Sequence, residues 1–219
     1  MYAAWEAGVW KALEPYVRPD LIVGASAGAL NGWAIAGGAT PEELERVWLD
    51  RSLAEIRVFH PEALHRQARE LASRFQPRIP FGLTIVDARR MRVRLVRGHE
   101  VTWQHLAATC SIPFFFPPVV IDGRSYVDGG LLGALPVRTA EEMGATKAIA
   151  VNCLHGLPFR MLRAVLRLQQ PSAALQVVTI QPSERLGSLR AALVWSRPTI
   201  ERWIELGMRD GKVGLEQMV

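Results

Sequence analysis

The stretch D-L-I-V-G-A-S-A-G-A-L-N-G, residues 20–32, constrains the fold of this chain more than any other segment. It begins as a short, uninterrupted apolar run of the kind that forms a strand buried on both faces. It then passes, without a linker, into small residues that favour a helix from Ser26 to Ala36, closed by Gly37-Gly38. A buried strand that leads directly into a helix is typical of α/β proteins with parallel strands.

The same alternation continues along the chain. Further strand-like runs lie at 83–88, 90–98, 147–152 and 175–180. Helical patterns lie at 3–13, 61–74, 103–110 and 137–143, with two more before the end. Thr40-Pro41 begins another helix, and Asp122-Gly123 between two apolar runs indicates a hairpin. These patterns predict an α/β fold with a mostly parallel sheet.

Composition indicates one globular domain over residues 1–219, with 49% hydrophobic and 21% charged residues. No apolar run reaches the ~18 residues of a membrane span, and the N-terminus lacks the basic start of a signal peptide. We therefore expect a cytoplasmic protein that at most touches a membrane surface. The two cysteines, Cys110 and Cys153, and the absence of metal-ligand spacing predict no disulfide framework, metal or cofactor.

The net positive charge bears on which partners the protein could bind. The net charge is +5, and arginines, which bind phosphate bidentately, far outnumber lysines. Such a surface suits phospholipid headgroups or nucleic acid, or is simply solvated. Arg160, Arg163 and Arg167 fall on one side of a short amphipathic helix pattern, which indicates either a membrane contact or a surface helix with a solvated face.

Ser26 lies between Gly24 and Gly28 in a G-x-S-x-G pattern. On a sharp turn between strand and helix, small neighbours expose the serine hydroxyl, and the amides that begin the helix favour developing negative charge. The alternative is a small residue in a packed loop. The strand–turn–helix context favours a nucleophile. A nucleotide site is not supported, because the segment has neither G-K-[ST] nor G-x-G-x-x-G.

A nucleophilic serine needs a base within hydrogen-bonding reach. Asp128, at the end of an apolar strand and before Gly129-Gly130, is either that base or part of an ordinary turn, and its position alone does not decide. His155 completes a Ser–Asp–His order along the chain. Only 25 residues precede Ser26, too few for the earlier strands of an α/β-hydrolase, so we do not expect His155 to be catalytic.

Three segments together resemble one family. They are P-D-L-I-V-G-A-S-A-G-A-L-N-G at 19–32, the block at 108–137 with its D-G-G motif, and A-A-W-E-A-G-V-W-K-A-L-E at 3–14. They are similar to the nucleophile elbow, the second hallmark block and the first helix of the patatin-like phospholipases. These are serine lipid acyl hydrolases with a Ser–Asp dyad. The resemblance implies a three-layer α/β/α fold with a mostly parallel central sheet.

The resemblance also implies roles. Ser26 would be the nucleophile and Asp128 the general base, with Gly24 and Gly28 shaping the elbow and Gly129 and Gly130 the turn after the base. It implies a phospholipase A or lysophospholipase-type esterase acting on phospholipid or other fatty-acyl esters. A lipid-binding module, or an acyltransferase or thioesterase on the same dyad, is the alternative. The sequence leaves the oligomeric state open, and we expect no nucleic-acid partner.

One departure concerns the oxyanion hole. Family members begin with a strand and a glycine-rich loop whose amides stabilise the oxyanion, whereas this chain starts at Met1-Tyr2-Ala3, close to its first helix. We expect the natural protein to extend upstream. The Ala27 amide would supply what remains of oxyanion stabilisation. Phe114, Phe115, Phe116, Trp33 and Leu131 are candidate cavity lining, although a triple phenylalanine is also typical of core packing.

Overall fold

The structure is a computed structural model that describes residues 1–130, 135–154 and 175–218. The helices are α1 Ala3–Leu13, α2 Ala27–Ala36, α3 Pro41–Leu49, α4 Glu62–Arg74, α5 Trp103–Thr109, α6 Val137–Glu142, α7 Leu189–Leu193 and α8 Arg197–Glu216. The strands are β1 Ile22–Ala25, β2 Phe81–Asp87, β3 Arg92–Arg97, β4 Val119–Ile121, β5 Arg124–Asp128, β6 Lys147–Val151 and β7 Gln176–Ile180. Short 3₁₀ turns lie at Arg51–Glu55 and Gly98–Glu100.

The helix boundaries follow local signals. Thr40 accepts from the Glu43 amide, and the Glu43 carboxylate accepts from the Thr40 amide, so a complete capping box begins α3. At the predicted hairpin, Asp122 and Gly123 both adopt positive φ, of 48° and 72°. That backbone twist matches the twist of the strands it joins. The predicted elements within the described ranges are thus present, with boundaries shifted by a few residues at most.

The central sheet brings two strand ends together. β3 pairs antiparallel along one edge of β2. The other edge of β2 is shared, because β1 pairs in parallel with residues 81–84 and β5 pairs antiparallel with residues 85–87. These two strands therefore run toward each other. Their last residues, Ala25 and Asp128, lie opposite the adjacent residues Thr84 and Ile85.

The expected α/β class is confirmed, and its sheet is mixed. β1 pairs in parallel with β2, across a connection that contains helices, and β6 pairs in parallel with β7. The antiparallel pairs β2–β3 and β4–β5 join consecutive strands through short turns, as antiparallel ladders allow. In the described part of the chain, β6 and β7 form a two-stranded sheet of their own.

Helices cover both faces of β2. The Phe81 ring meets the Trp33 ring of α2 edge-on, with centroids 5.5 Å apart. The next residue, Gly82, faces the opposite side, where a Cβ would lie 2.5 Å from the sulfur of Met143, directly after α6. Because successive residues of a strand point to opposite faces, these contacts place helices on both sides of the sheet. This agrees with the expected three-layer arrangement.

Close backbone packing holds α1 against α8. A Cβ on Gly8 would lie 2.1 Å from the Ile204 carbonyl oxygen, and one on Gly207 would lie 2.0 Å from the Trp5 carbonyl oxygen. Only glycine permits this approach. Trp5 and Trp203 are fully buried beside the contact. Among the described residues, no helix is both long and apolar enough to cross a membrane.

Candidate active site

Ser26 occupies a strained turn between β1 and α2. Its backbone has φ 52° and ψ −141°, a region that non-glycine residues rarely adopt. Gly24 makes the sharp turn possible, because a Cβ there would lie 2.5 Å from the Ala29 Cα. The side chain at Ser26 is thereby held out of the packed turn. This is the geometry that a strand–elbow–helix nucleophile requires.

Hydrogen bonds to the backbone of Ser26 hold this strained residue in place. The Ser26 amide donates to Thr109 Oγ1 at 2.8 Å, and that hydroxyl donates to the Thr84 carbonyl at 2.8 Å. Thr109 has no solvent exposure. The last turn of α5 therefore links the elbow to the centre of β2, and the part-buried amide of Ser26 has a partner.

Asp128 contacts Ser26 from the end of β5, which runs toward β1 along the same edge of β2. Its Oδ2 accepts from Ser26 Oγ at 2.6 Å, and its Oδ1 accepts from the Gly130 amide at 2.6 Å. Gly129 is required at this turn, because a Cβ there would lie 2.0 Å from the Thr84 carbonyl oxygen. The structure thus brings together the two residues that the sequence left 102 positions apart.

The electrostatics of Asp128 reflect its burial. The residue is 4% exposed, and this desolvation raises the pKa of its carboxyl from 3.8 to about 6. The hydrogen bonds from Ser26 and Gly130 oppose the rise, since they favour the ionised form. A carboxylate with a pKa near 6 is a stronger base than an exposed one and remains ionised at neutral pH.

The first turn of α2 lies next to the serine. Ala27, its first residue, and Gly28 both line the same cavity as Ser26. The N-terminus of a helix carries partial positive charge and favours an anion there. A Cβ on Gly28 would lie 3.1 Å from Glu6 Oε2, so this position brings the helix backbone close to the carboxyl of α1.

Ser26 and Asp128 lie in the wall of a cavity of about 360 Å³. Most of the remaining wall is apolar. It includes Leu30, Leu44, Leu53, Ile56, Leu64, Leu71, Ile112, Phe116 and Leu154. Of the predicted lining residues, Phe116 contributes, whereas Trp33, Phe114 and Phe115 do not, and Leu131 lies outside the described residues.

Sequence reasoning missed the polar part of this wall. Asn31 donates to the Ala3 carbonyl at 2.8 Å and to Glu6 Oε2 at 3.3 Å, and accepts from Trp48 Nε1 at 2.8 Å. It thereby joins α1, α2 and α3, which all contribute residues to the cavity wall. Burial raises the pKa of the Glu6 carboxyl. The available signal was a lone glutamate within an otherwise apolar stretch of α1.

Other potential nucleophiles and bases are less suited to attack. Cys110 and Cys153 also line the cavity, but burial raises the pKa of each thiol well above its usual value, so the reactive thiolate is scarce. No histidine of the described ranges lines the cavity. His155 and the arginines of the proposed amphipathic helix lie outside the described residues. No acidic, histidine or cysteine cluster suited to a metal occurs within those ranges.

Comparisons with known proteins agree with this architecture. The family model for patatin-like phospholipases matches residues 1–100 and 97–141. The crystal structure of VipD from Legionella pneumophila is similar with a TM-score of 0.51 at 10% identity, over 99% of this chain and 65% of that one. This likeness concerns the fold, and this chain spans less than two thirds of the length of VipD's chain. Because the family model covers more than half of its residues, the chain belongs to the patatin-like phospholipase family.

Proposed function

We propose that this protein hydrolyses fatty-acyl esters, with Ser26 as the nucleophile and Asp128 as its general base. The observation that carries the proposal is the 2.6 Å hydrogen bond from Ser26 Oγ to Asp128 Oδ2. It is supported by the strained elbow, which aims the hydroxyl, and by the cavity that opens beside it. A serine hydroxyl touching a buried carboxylate is the arrangement that nucleophilic catalysis needs.

The first half-reaction forms an acyl-enzyme. The proton of Ser26 Oγ passes to Asp128 Oδ2 as Oγ attacks the ester carbonyl carbon, and the C=O electron pair moves to oxygen. When the tetrahedral intermediate collapses, the alcohol leaves and takes the proton from Asp128. The fatty acyl group is now esterified to Ser26, and Asp128 is again ionised.

Water completes the cycle by the same route. Asp128 accepts a proton from water as the water oxygen attacks the acyl carbonyl carbon. This attack forms a second tetrahedral intermediate. Collapse expels Ser26 Oγ, which recovers the proton from Asp128, and the fatty acid departs. The pKa of about 6 suits both duties, because the carboxyl is ionised before each attack and readily returns its proton.

Oxyanion stabilisation would come in part from α2. We assign the Ala27 amide to this role, because it begins the helix directly after the nucleophile and Ala27 lines the cavity. A single oxyanion donor typically contributes about 10²–10³-fold in rate. Gly28 contributes by keeping the first turn free of a side chain that would meet Glu6.

The cavity supports a proposal for the substrate class. Its apolar wall suits a fatty-acyl chain, and its volume of about 360 Å³ lies within the common range for small-molecule sites. We therefore propose a phospholipase A or lysophospholipase-type activity. The headgroup would remain outside the apolar wall while the acyl carbonyl meets Ser26.

Hydrolysis and labelling of the full chain test this function. We would measure fatty-acid release from phosphatidylcholine and lysophosphatidylcholine, and covalent labelling by a fluorophosphonate probe. Ser26→Ala should abolish both signals and Asp128→Asn should slow both strongly, while Ser73→Ala, at an exposed serine in α4, should keep them. His155→Ala should also remain active.

The alternatives appear as distinct outcomes. If an added alcohol or thiol receives the acyl group faster than water does, the protein is an acyltransferase on the same dyad. If the chain binds lipid but neither releases fatty acid nor reacts with the probe, the hydrolase proposal fails and a lipid-binding module remains. Labelling retained in Ser26→Ala would exclude Ser26 as the nucleophile.

A further inference from the structure

Two phenylalanines stand out of the protein surface at the tips of separate loops. Phe114 is 90% exposed and Phe59 is 72% exposed. Both have positive φ, of 70° and 65°, a conformation unfavourable for bulky side chains. In each loop the backbone thus holds an aromatic ring in solvent instead of turning it into the core.

The two tips form one unit, which we call the aromatic rim. The Phe59 amide donates to the Phe115 carbonyl oxygen at 2.7 Å, so the loops are directly joined. The first loop is a tight turn, closed by a hydrogen bond of 3.1 Å from the His60 amide to the Arg57 carbonyl oxygen. The positions of the two rings are thereby tied to each other.

The aromatic rim borders the cavity that contains Ser26. Ile56 precedes the first tip, Pro113 precedes the second and Phe116 follows it, and all three line the cavity. The second loop, I-P-F-F-F-P-P at 112–118, contains no charged side chain, and Pro117 and Pro118 are exposed. An uncharged, apolar loop therefore reaches from the cavity wall into solvent.

The size of the patch argues against a protein partner. Two phenylalanine rings offer about 300–500 Å² of burial, since one aromatic side chain buries about 150–250 Å². A stable protein interface takes about 800 Å² from each partner. Two protruding tips are instead suited to a deformable medium, such as the boundary between lipid headgroups and acyl chains.

The charge of the protein indicates which kind of lipid surface it would bind. Arg57 lies two residues before the first tip, and the whole chain carries +5. Glu55 is ion-paired with Arg66, while Arg57 beside the first tip is exposed. An exposed arginine beside an apolar tip, on a chain of net positive charge, is attracted to anionic lipid headgroups.

We propose that the aromatic rim docks the protein on an anionic lipid surface, with Phe59 and Phe114 inserted beside the cavity mouth. The inference rests on the proposed function for its purpose, because docking there would let an acyl ester enter the cavity from the membrane. Its physical basis, two joined aromatic tips beside an exposed arginine, does not depend on catalysis.

Vesicle binding tests the proposal without any turnover. The full chain would be mixed with vesicles of phosphatidylcholine alone or with added phosphatidylglycerol, and binding measured by flotation. We expect Phe59→Ala and Phe114→Ala each to weaken binding about tenfold, since each removes one inserted ring. Arg57→Gln should weaken binding only to the anionic vesicles. Tyr16→Ala removes an equally exposed ring, at 75%, elsewhere on the surface and should change nothing.

Several results would overturn the inference. The first is absence of vesicle binding by the parent protein. The second is binding of the phenylalanine variants equal to that of the parent, and the third is a loss of binding in Tyr16→Ala as large as theirs. Concentration-dependent dimerisation lost on Phe114→Ala, without vesicle binding, would assign the rim to a second copy of the chain. Vesicle binding without fatty-acid release would contradict only the proposed function, and release from a monomeric ester without vesicle binding would contradict only the docking.

Discussion

Ser26 and Phe114 are both non-glycine residues with positive φ, of 52° and 70°, but their surroundings differ. Around Ser26 the strain is over-determined by the Thr109 hydroxyl, the Asp128 carboxylate and the close approach of α2. Phe114 is 90% exposed. Strain within a packed network positions one atom for chemistry, whereas strain at an open tip only presents a side chain. Changes at the elbow should therefore affect activity, and changes at the tip should affect surface contacts.

The largest expected effect is at Ser26, the proposed nucleophile. Ser26→Ala should lower the rate of fatty-acid release by about 10⁴-fold or more, because no acyl-enzyme can form. Release rates for purified variants give the measurement, with Ser73→Ala as the matched control. Residual activity within tenfold of the parent would break the contrast between elbow and tip.

The second prediction concerns the pH dependence of stability at Asp128. Its folded pKa of about 6 lies above the value of 3.8 expected when unfolded, so the folded state binds the extra proton between these values. The associated stability is present below pH 4 and is lost as pH rises through about 6, a difference of about 3 kcal/mol.

Asp128→Asn removes this titration and can keep the geometry, with its amide donating to Ser26 Oγ and its oxygen accepting from Gly130. We expect the variant to be more stable than the parent above pH 6 by about 1–3 kcal/mol, and to lose that advantage near pH 4. Urea unfolding at both pH values measures this. Equal stability of the two proteins at pH 8 would contradict the buried, ionised carboxylate.

The third prediction weakens the support of the elbow. Thr109→Val removes the buried hydroxyl between the Ser26 amide and the Thr84 carbonyl and leaves both groups without that partner. Stability should fall by about 1–3 kcal/mol, and fluorophosphonate labelling should slow. Thr179→Val, at an exposed position of β7, is a suitable control. Unchanged labelling would mean that strain at Ser26 does not depend on this anchor.

The smallest effect is expected at the tip. Phe114→Gly relieves the positive φ without removing a packed side chain, so the free energy of unfolding should rise by up to about 1 kcal/mol. Hydrolysis of a soluble, monomeric ester should stay unchanged, since Phe114 does not line the cavity. A destabilised variant would show that the ring packs against the protein after all.

Much of the architecture follows from local pattern. The boundaries of α1, the capping box at Thr40 and the hairpin at Asp122-Gly123 all depend on neighbouring residues, and each was predictable. The proximity of Ser26 and Asp128 was expected only through the family resemblance. It depends on two strands that meet on one edge of β2, a register that no local pattern encodes.

The polar supports and the rim were not predictable for a related reason. Thr109 lies in an ordinary helix, and its role arises from a contact 83 residues away along the chain. Residues 114–116 are three consecutive phenylalanines, but the turn exposes the first and buries the third. Periodicity does not distinguish these positions, because the loop has no regular repeat.

The pH dependence of fluorophosphonate labelling tests the central claim most directly. If Asp128 activates Ser26, the labelling rate of the parent should rise with pH to a plateau with a midpoint near 6, where its carboxyl ionises. Asp128→Asn should label far more slowly and without that step, while His155→Ala should keep it. A step unchanged in Asp128→Asn but lost in His155→Ala would contradict the serine–aspartate dyad.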